Sequence, residues 1–173
     1  RPAPEVRALL ELLREYLCSQ TAQCVARGVR LSVIGRRDRL PAPLVAAIAG
    51  TEALTAGGRT LHLRLALDYS ARDVILRAAR GGAGEDALTP DRFERLLADP
   101  EGGAPAFPPV DLRIRSGGEQ RVSDFLLWEI AFAELVFTDT LWPDFGAADL
   151  SAAVSEFRTR ERRYGGLSGQ AAS

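Results

Sequence analysis

Short apolar runs alternate with helical patterns along the whole chain, and this alternation limits the folds that it can adopt. Helices are expected over residues 5–17, 44–55, 71–80, 92–98 and 123–132, and around 150–157. Strands are expected over residues 31–34, 60–67, 110–115 and 135–138. Strands that alternate with helices predict an α/β fold with a mostly parallel sheet and flanking helices.

The segment after the third predicted strand has the residue types that bind an anion. Residues 114–128 read IRSGGEQRVSDFLLW, and the two glycines let a ligand approach the backbone closely. The guanidinium groups of Arg115 and Arg121 offer paired donors that match phosphate oxygens. Ser123 is expected as the N-cap of the next helix, where free N–H groups and the helix dipole favour an anion. The segment predicts a pyrophosphate cradle, and a Gly-Gly turn with solvated charges is the alternative.

A longer stretch of sequence carries a family resemblance. Residues 114–145 read IRSGGEQRVSDFLLWEIAFAELVFTDTLWPDF and resemble the cis-prenyltransferases, the family of undecaprenyl diphosphate synthase. The family signature has R-T/S-G-G-E-x-R-x-S-x-F, then A-E-L-x-F and L-W-P-D-F. The opening RPAPEV, the LSVIGRRDRLP segment and ERRYGGL near the end are similar to further family segments. Essentially all 173 residues fall within the resemblance.

One family segment has no counterpart in this sequence. The family begins with H-x-x-x-x-M-D-G-N-x-R-W-A, whose aspartate helps to hold Mg²⁺ and the allylic diphosphate, whereas this chain contains neither Met nor Asn. The resemblance therefore implies an N-terminally incomplete fold, without the family's catalytic aspartate. Either a fragment or a catalytically incomplete relative is expected.

The resemblance also implies a function. The expected activity is that of an isoprenyl transferase, which condenses isopentenyl diphosphate onto an allylic diphosphate such as farnesyl diphosphate to give a (Z)-polyprenyl diphosphate. Mg²⁺ is the implied cofactor. A homodimer is the implied assembly, because the family's R-x-R-R-x-G-G tail reaches across a dimer interface. The alternative is a catalytically incomplete homologue that acts as a partner or binding subunit.

The resemblance assigns roles to individual residues. Arg115, Arg121 and Ser123 are implied to bind the diphosphate of isopentenyl diphosphate. Glu134 is implied as an Mg²⁺ ligand, although a structural arginine partner would also explain a carboxylate among apolar residues. Further candidate site residues are Glu119, Gly117, Gly118, Arg72 and Arg1.

The sequence departs from the family pattern in two places near these candidates. Residues 68–72 read DYSAR where the family usually has N-Y-G-G-R, so Arg72 is retained but its neighbours differ. Asp124 replaces the usual Asn and adds a charge beside the predicted cradle. The only histidine, His62, is expected to be a structural residue of the second predicted strand.

The composition is typical of a globular protein. The 173 residues, 46% hydrophobic and 26% charged, are expected to form a single globular domain with a flexible tail at 165–173. A net charge of −1 argues against a nucleic-acid partner. No signal peptide is evident, and a cytoplasmic location is expected, with the lipid product as a route to peripheral membrane contact. Cys18 and Cys24 face different sides of a predicted helix, which predicts neither a disulfide nor a metal site.

Overall fold

The computed structural model describes residues 2–84, 88–98 and 107–160. The elements in chain order are α1 (Ala3–Ala26), β1 (Val29–Ile34), α2 (Ala42–Thr55), β2 (Leu61–Ala66), α3 (Ala71–Gly81), α4 (Pro90–Ala98), β3 (Leu112–Arg115), β4 (Glu134–Phe137), a 3₁₀ turn (Trp142–Asp144) and α5 (Ala147–Thr159). The chain divides into two compact units, Arg1–Ser70 and Ala71–Ser173. The single-domain organisation stays a prediction, and the tail predicted at 165–173 lies outside the described residues.

The first unit is built on a parallel pair of strands. β1 and β2 run in register from Val29 opposite Leu61 to Ile34 opposite Ala66. Alternate residues of β1 face the helices, because successive side chains of a strand point to opposite faces. The buried core that results contains Leu17, Leu31, Val33, Leu44 and Ile48.

The first helix is longer than its apolar pattern indicates, since α1 continues to Ala26. Leu17 is buried on it, and Leu10 and Leu13 pack against the core. Val6 and Leu9, at the start of the predicted apolar face, are 38% and 45% exposed. The predicted face is therefore buried only toward its carboxyl end among the described residues.

The backbone just after β1 passes so close to the backbone just after β2 that glycine is required there. Gly35, which follows β1, has a φ of +110°, a region that residues with a side chain rarely adopt. A Cβ at this position would lie 2.0 Å from the carbonyl oxygen of Leu67, just beyond β2. The N–H of Leu67 donates to the carbonyl of Ile34 at 2.9 Å, so the two strand ends are held together at this point.

The second unit contains a second parallel pair, β3 and β4, in register from Leu112 opposite Glu134 to Arg115 opposite Phe137. Helices α3 and α4 pack on each other, and α5 packs on β4. Among the described residues of this unit, the buried apolar ones are Ala71, Val74, Ala78, Leu96, Leu97, Ile130, Val136 and Ala153. Both strand pairs are parallel and both units carry helices, which confirms the predicted α/β class.

The helix predicted over 123–132 is wrong. Residues 121–133 form bends and turns, because Ser123 and Leu126 have φ values of +60° and +50° and cannot continue a right-handed helix. The guanidinium of Arg113 on β3 donates to the carbonyl of Val122, and to that of Phe125 at 3.4 Å. A side chain of β3 thus bonds the carbonyl of Phe125, which a helix over 123–132 would have bonded internally.

Among the described residues, no helix combines the length and apolar character that crossing a membrane requires.

Gly35→Ala is expected to destabilise the protein by about 2–4 kcal/mol, because the new methyl group meets a fixed carbonyl and φ is unfavourable. The measurement is the free energy of unfolding from denaturant titration. Gly50→Ala is the matched control, since Gly50 lies in α2, is exposed and would place a Cβ with nothing within 4 Å of it. This control should stabilise by about 0.5–1 kcal/mol. Equal stability of the two variants would contradict the close approach at Gly35.

Candidate diphosphate-binding site

The segment that leaves β3, residues 115–123, is called here the cradle loop. It is tied to the segment after β4 by backbone hydrogen bonds. Gly117 N–H donates to the carbonyl of Thr140 at 2.9 Å, and Gly118 N–H donates to that of Thr138 at 3.0 Å. Both glycines have positive φ, +91° and +77°, so the loop needs glycine at these two positions. Their N–H groups are therefore engaged within the protein, and the side chains of the loop remain as donors for a ligand.

A carboxylate bridges the two arginines of the cradle loop. Glu119 accepts from the guanidinium groups of both Arg115 and Arg121. Arg115 also donates to the carbonyl of Arg121 at 2.6 Å, which closes the loop on itself. The hydrogen bond from Arg121, and that from Arg115, hold the pKa of Glu119 below its usual range. Glu119 is thus ionised at neutral pH and gathers two cationic groups around one anionic position.

The two arginines differ in accessibility. The side chain of Arg115 is 19% exposed, whereas that of Arg121 is 65% exposed. Arg115 is therefore largely enclosed by its loop, and the side chain of Arg121 is accessible to solvent. This arrangement suits a phosphate group, which a guanidinium can bind through two parallel N–H donors.

Ser123 lies in the same loop as the two arginines, but it is not a helix N-cap. Its φ of +60° is left-handed, and the residues directly after it, 124–132, form bends and turns. The expectation that a helix N-terminus adds anion-binding donors here is therefore wrong. The implied contact between the Ser123 hydroxyl and a diphosphate stays a prediction.

Asp124 has a defined structural role. Its Oδ1 accepts the N–H of Arg72 at 2.9 Å, in the first turn of α3. A carboxylate is favourable there, because the first N–H groups of a helix lack partners and the helix dipole is positive. The contact brings the backbone of Arg72 against the segment that follows the cradle loop. A binding role for the Arg72 side chain stays a prediction.

Asp68 belongs to the DYSAR segment, which differs from the family's N-Y-G-G-R, and it has a φ of +47°. Its carboxylate pairs with Arg39, with 2.6 Å between Arg39 Nε and Asp68 Oδ2. His62 is also in structural contact, 2.8 Å from the hydroxyl of Ser32 on the neighbouring strand. These contacts lie within the first unit.

Glu134 lies at the other end of the strand pair from Arg115. It begins β4 opposite Leu112, three register steps from the Arg115–Phe137 pair, or about 10 Å at the usual rise of a strand. Its Oε2 accepts from Arg160 Nη1 at 3.0 Å, and the same nitrogen donates to the carbonyl of Leu135 at 3.0 Å. Arg160 also pairs with Glu156 on α5. Glu134 has a structural arginine partner, and its role as an Mg²⁺ ligand stays a prediction.

The candidate site residue Arg1 lies outside the described residues. So does ERRYGGL at 161–167, called here the arginine-rich tail because it resembles the family's R-x-R-R-x-G-G tail. Within the described ranges, no group of three or more His, Cys, Asp or Glu side chains is arranged to hold a metal ion.

The residues that hold the segment bonded to the cradle loop were not predicted from the sequence. Thr138, Thr140 and Asp149 form a hydrogen-bonded series next to Gly117 and Gly118. The signal was available in part, because Asp149 is the third residue of α5 and such positions commonly cap a helix. Its link to the loop depends on tertiary contacts, which spacing alone does not predict.

An apolar cavity of about 730 Å³ lies elsewhere in the second unit. Its lining includes Leu97, Phe107, Trp128 and Phe132, together with Asp111, at the amino end of β3 rather than at the Arg115 end. The carboxylates of Asp111, Glu94 and Glu129 also line it, and they would repel a diphosphate. The cavity is therefore distinct from the candidate anion site.

Comparisons with known proteins identify relatives over nearly the whole chain. Residues 1–165 match a family model described as "Putative undecaprenyl diphosphate synthase". Isoprenyl transferase 1 of Bradyrhizobium diazoefficiens is 54% identical over 167 residues, which are 96% of this chain and 66% of that protein. The farnesyl-diphosphate-specific ditrans,polycis-undecaprenyl-diphosphate synthase of Escherichia coli K12 is 43% identical over 169 residues, which are 96% of this chain and 67% of that protein.

Solved structures give the same result. Lavandulyl diphosphate synthase from Lavandula x intermedia, in complex with dimethylallyl diphosphate, is similar with a TM-score of 0.83 and 36% identity, over 95% of this chain and 73% of that chain. A probable undecaprenyl diphosphate synthase from Campylobacter jejuni has a TM-score of 0.83 and 33% identity, over 95% and 76%. The chain spans about two thirds of the length of the two curated relatives above. The predicted family is therefore confirmed, and this chain belongs to the undecaprenyl diphosphate synthase family of cis-prenyltransferases.

Proposed function

We propose that this protein is an isoprenyl transferase that condenses isopentenyl diphosphate onto an allylic diphosphate, such as farnesyl diphosphate, to give a (Z)-polyprenyl diphosphate. Family membership supports the reaction class. The observation that carries the assignment of a site is the pair of arginines, Arg115 and Arg121, gathered around the carboxylate of Glu119. A diphosphate presents the same kind of charge to the same donors, so it can take over contacts that Glu119 makes in its absence.

The cradle loop would bind the isopentenyl diphosphate through side chains. Because the Gly117 and Gly118 N–H groups are bonded to the segment after β4, they hold the shape of the loop. Arg115 then presents a fixed guanidinium, and the exposed Arg121 supplies a second one. Fixing the diphosphate in this way orients the rest of the substrate, and orientation is a major source of rate enhancement in bimolecular reactions.

We further propose Mg²⁺ as the cofactor, with Glu134 as the ligand from this chain. Mg²⁺ is usually bound through one or two carboxylates together with substrate phosphates, so a single glutamate fits this mode. Glu134 is 27% exposed and its carboxylate is held in place by Arg160. When bound, magnesium supplies positive charge that stabilises a departing diphosphate. Arg160 contacts Oε2 of Glu134, so Oε1 is the oxygen that would be offered to the metal.

A cytoplasmic homodimer is proposed as the working state, with membrane contact only through the lipid product. Exposed aromatic side chains support an interface in the second unit, since Phe132 is 78% exposed and Trp142 is 76% exposed. The family resemblance supports a role in that interface for the arginine-rich tail.

The proposed function is tested by Arg121→Ala in the protein as its cell produces it. Loss of one charge-assisted bond, worth about 1.5–3 kcal/mol, should raise KM for isopentenyl diphosphate about ten- to a hundredfold. The measurement is steady-state incorporation of labelled isopentenyl diphosphate into polyprenyl product, with the allylic substrate at saturation.

Arg14→Ala is the matched control for this measurement. Arg14 forms an exposed ion pair with Glu11 on α1, comparable to that of Arg121 with Glu119, and should leave KM unchanged. Equal KM values for the Arg121 and Arg14 variants would contradict the binding assignment. A wild-type protein that binds isopentenyl diphosphate but incorporates none would favour the partner-subunit alternative over the enzyme.

The metal assignment is tested separately by Glu134→Gln. If Glu134 binds Mg²⁺, this variant should need about 100-fold more Mg²⁺ for half-maximal activity. Glu156→Gln is the control, because Glu156 shares Arg160 with Glu134 but is assigned no metal. The Mg²⁺ dependence of incorporation is the measurement, and the same dependence in both variants would assign Glu134 a structural role only.

A further inference from the structure

We propose that Thr140 and Asp149 are positioning residues for the substrate diphosphate, because they fix the segment to which the cradle loop is hydrogen-bonded. This inference rests on the proposed function and extends it to residues that do not touch the substrate.

The side-chain hydroxyls of Thr138 and Thr140 and the carboxylate of Asp149 form a hydrogen-bonded series. The hydroxyl of Thr138 donates to that of Thr140 at 3.1 Å and accepts the N–H of Thr140 at 3.2 Å. The hydroxyl of Thr140 in turn donates to Oδ1 of Asp149 at 3.0 Å. Each hydroxyl therefore donates one hydrogen bond, and the last acceptor is the carboxylate of Asp149. Hydrogen bonds to an ionised acceptor are stronger than those between neutral groups.

The series is anchored at its far end to a regular element. Oδ2 of Asp149 accepts the N–H of Gly146, the residue before α5, at 2.9 Å. This bond, followed by that from Thr140, holds the pKa of Asp149 below its usual value, so the carboxylate stays charged at neutral pH. One side chain thus caps α5 and holds the turn at Thr140.

At its near end, the series meets the cradle loop through the backbone. The carbonyls that accept from Gly117 and Gly118 belong to Thr140 and Thr138, the two residues whose hydroxyls are linked. The N–H of Thr138 also donates to the carbonyl of Arg115 at 2.9 Å. A shift of the 138–140 turn would therefore move both glycines and the arginine that ends β3.

The Thr140 hydroxyl can be removed with little other change. Thr140→Val keeps the shape of the side chain and the backbone carbonyl but breaks the link to Asp149, while Asp149 can still cap α5. The expected result is an increase in KM for isopentenyl diphosphate of about tenfold, with KM for the allylic diphosphate and kcat changed less than about twofold. Thr140→Ser, which keeps the hydroxyl, should restore KM to within about twofold of wild type.

Thr89→Val provides the matched control. The Thr89 hydroxyl accepts the N–H of Arg92 at 3.2 Å at the start of α4, so this variant also loses a threonine hydroxyl bond near a helix start. It should lower stability without changing KM. A purely structural role for Thr140 would move the melting temperature alone, whereas a positioning role raises KM for one substrate.

The outcomes distinguish the two proposals. If the wild-type protein neither binds nor incorporates isopentenyl diphosphate, the proposed function fails and this inference fails with it. If the wild-type protein is active but Thr140→Val behaves like Thr89→Val, the positioning role alone is overturned. If Thr140→Val does not fold, Thr140→Ser and Asp149→Asn decide: the inference requires near-normal KM in the first and raised KM in the second.

Discussion

The candidate site depends on the backbone hydrogen bonds that join the cradle loop to the segment after β4. Gly117 and Gly118 give their N–H groups to the carbonyls of Thr140 and Thr138, so two stretches of chain are fixed relative to each other. These bonds set the position of Arg115 at the end of β3, and Arg115 in turn holds the carbonyl of Arg121. The charged groups can be arranged with precision only because the backbone under them is held by hydrogen bonds.

The glycines thus have a different role from the one that their sequence context favours. Adjacent glycines between a strand and charged residues suggest N–H groups open to a phosphate. In this structure those N–H groups bind protein carbonyls, and the glycines are required for their positive φ. Under the proposed function, anion recognition would accordingly fall to the guanidinium groups, which carry full charge and paired donors.

Much of the fold could be predicted from periodicity. The strand predicted over 31–34 and the helix predicted over 44–55 were confirmed with the same last residue and a first residue two positions earlier, because apolar runs there are bounded by proline or glycine. The helix predicted over 123–132 was wrong. Its apolar residues fit a helical pattern, but Arg113 on a separate strand donates to the carbonyls of Val122 and Phe125. The local sequence pattern does not predict that a side chain from another strand will bind these backbone carbonyls.

The candidate site was predictable to a similar extent. Arg115, Glu119 and Arg121 lie close in sequence, and the structure brings them into direct contact. Glu134 is separated from them along the strands, and its pairing with Arg160 joins β4 to the end of α5. Contacts between elements, like that between Thr140 and Asp149, arise only when the fold brings the elements together.

Binding of a diphosphate by the cradle loop is tested by hydrogen–deuterium exchange in the presence and absence of isopentenyl diphosphate. We expect this ligand to slow exchange in peptides covering residues 114–124, and isopentenol, which lacks the diphosphate, to leave that exchange unchanged. Unchanged exchange in that segment, with slowing around the apolar cavity at residues 107–111 instead, would contradict the assignment of the cradle loop as the diphosphate site.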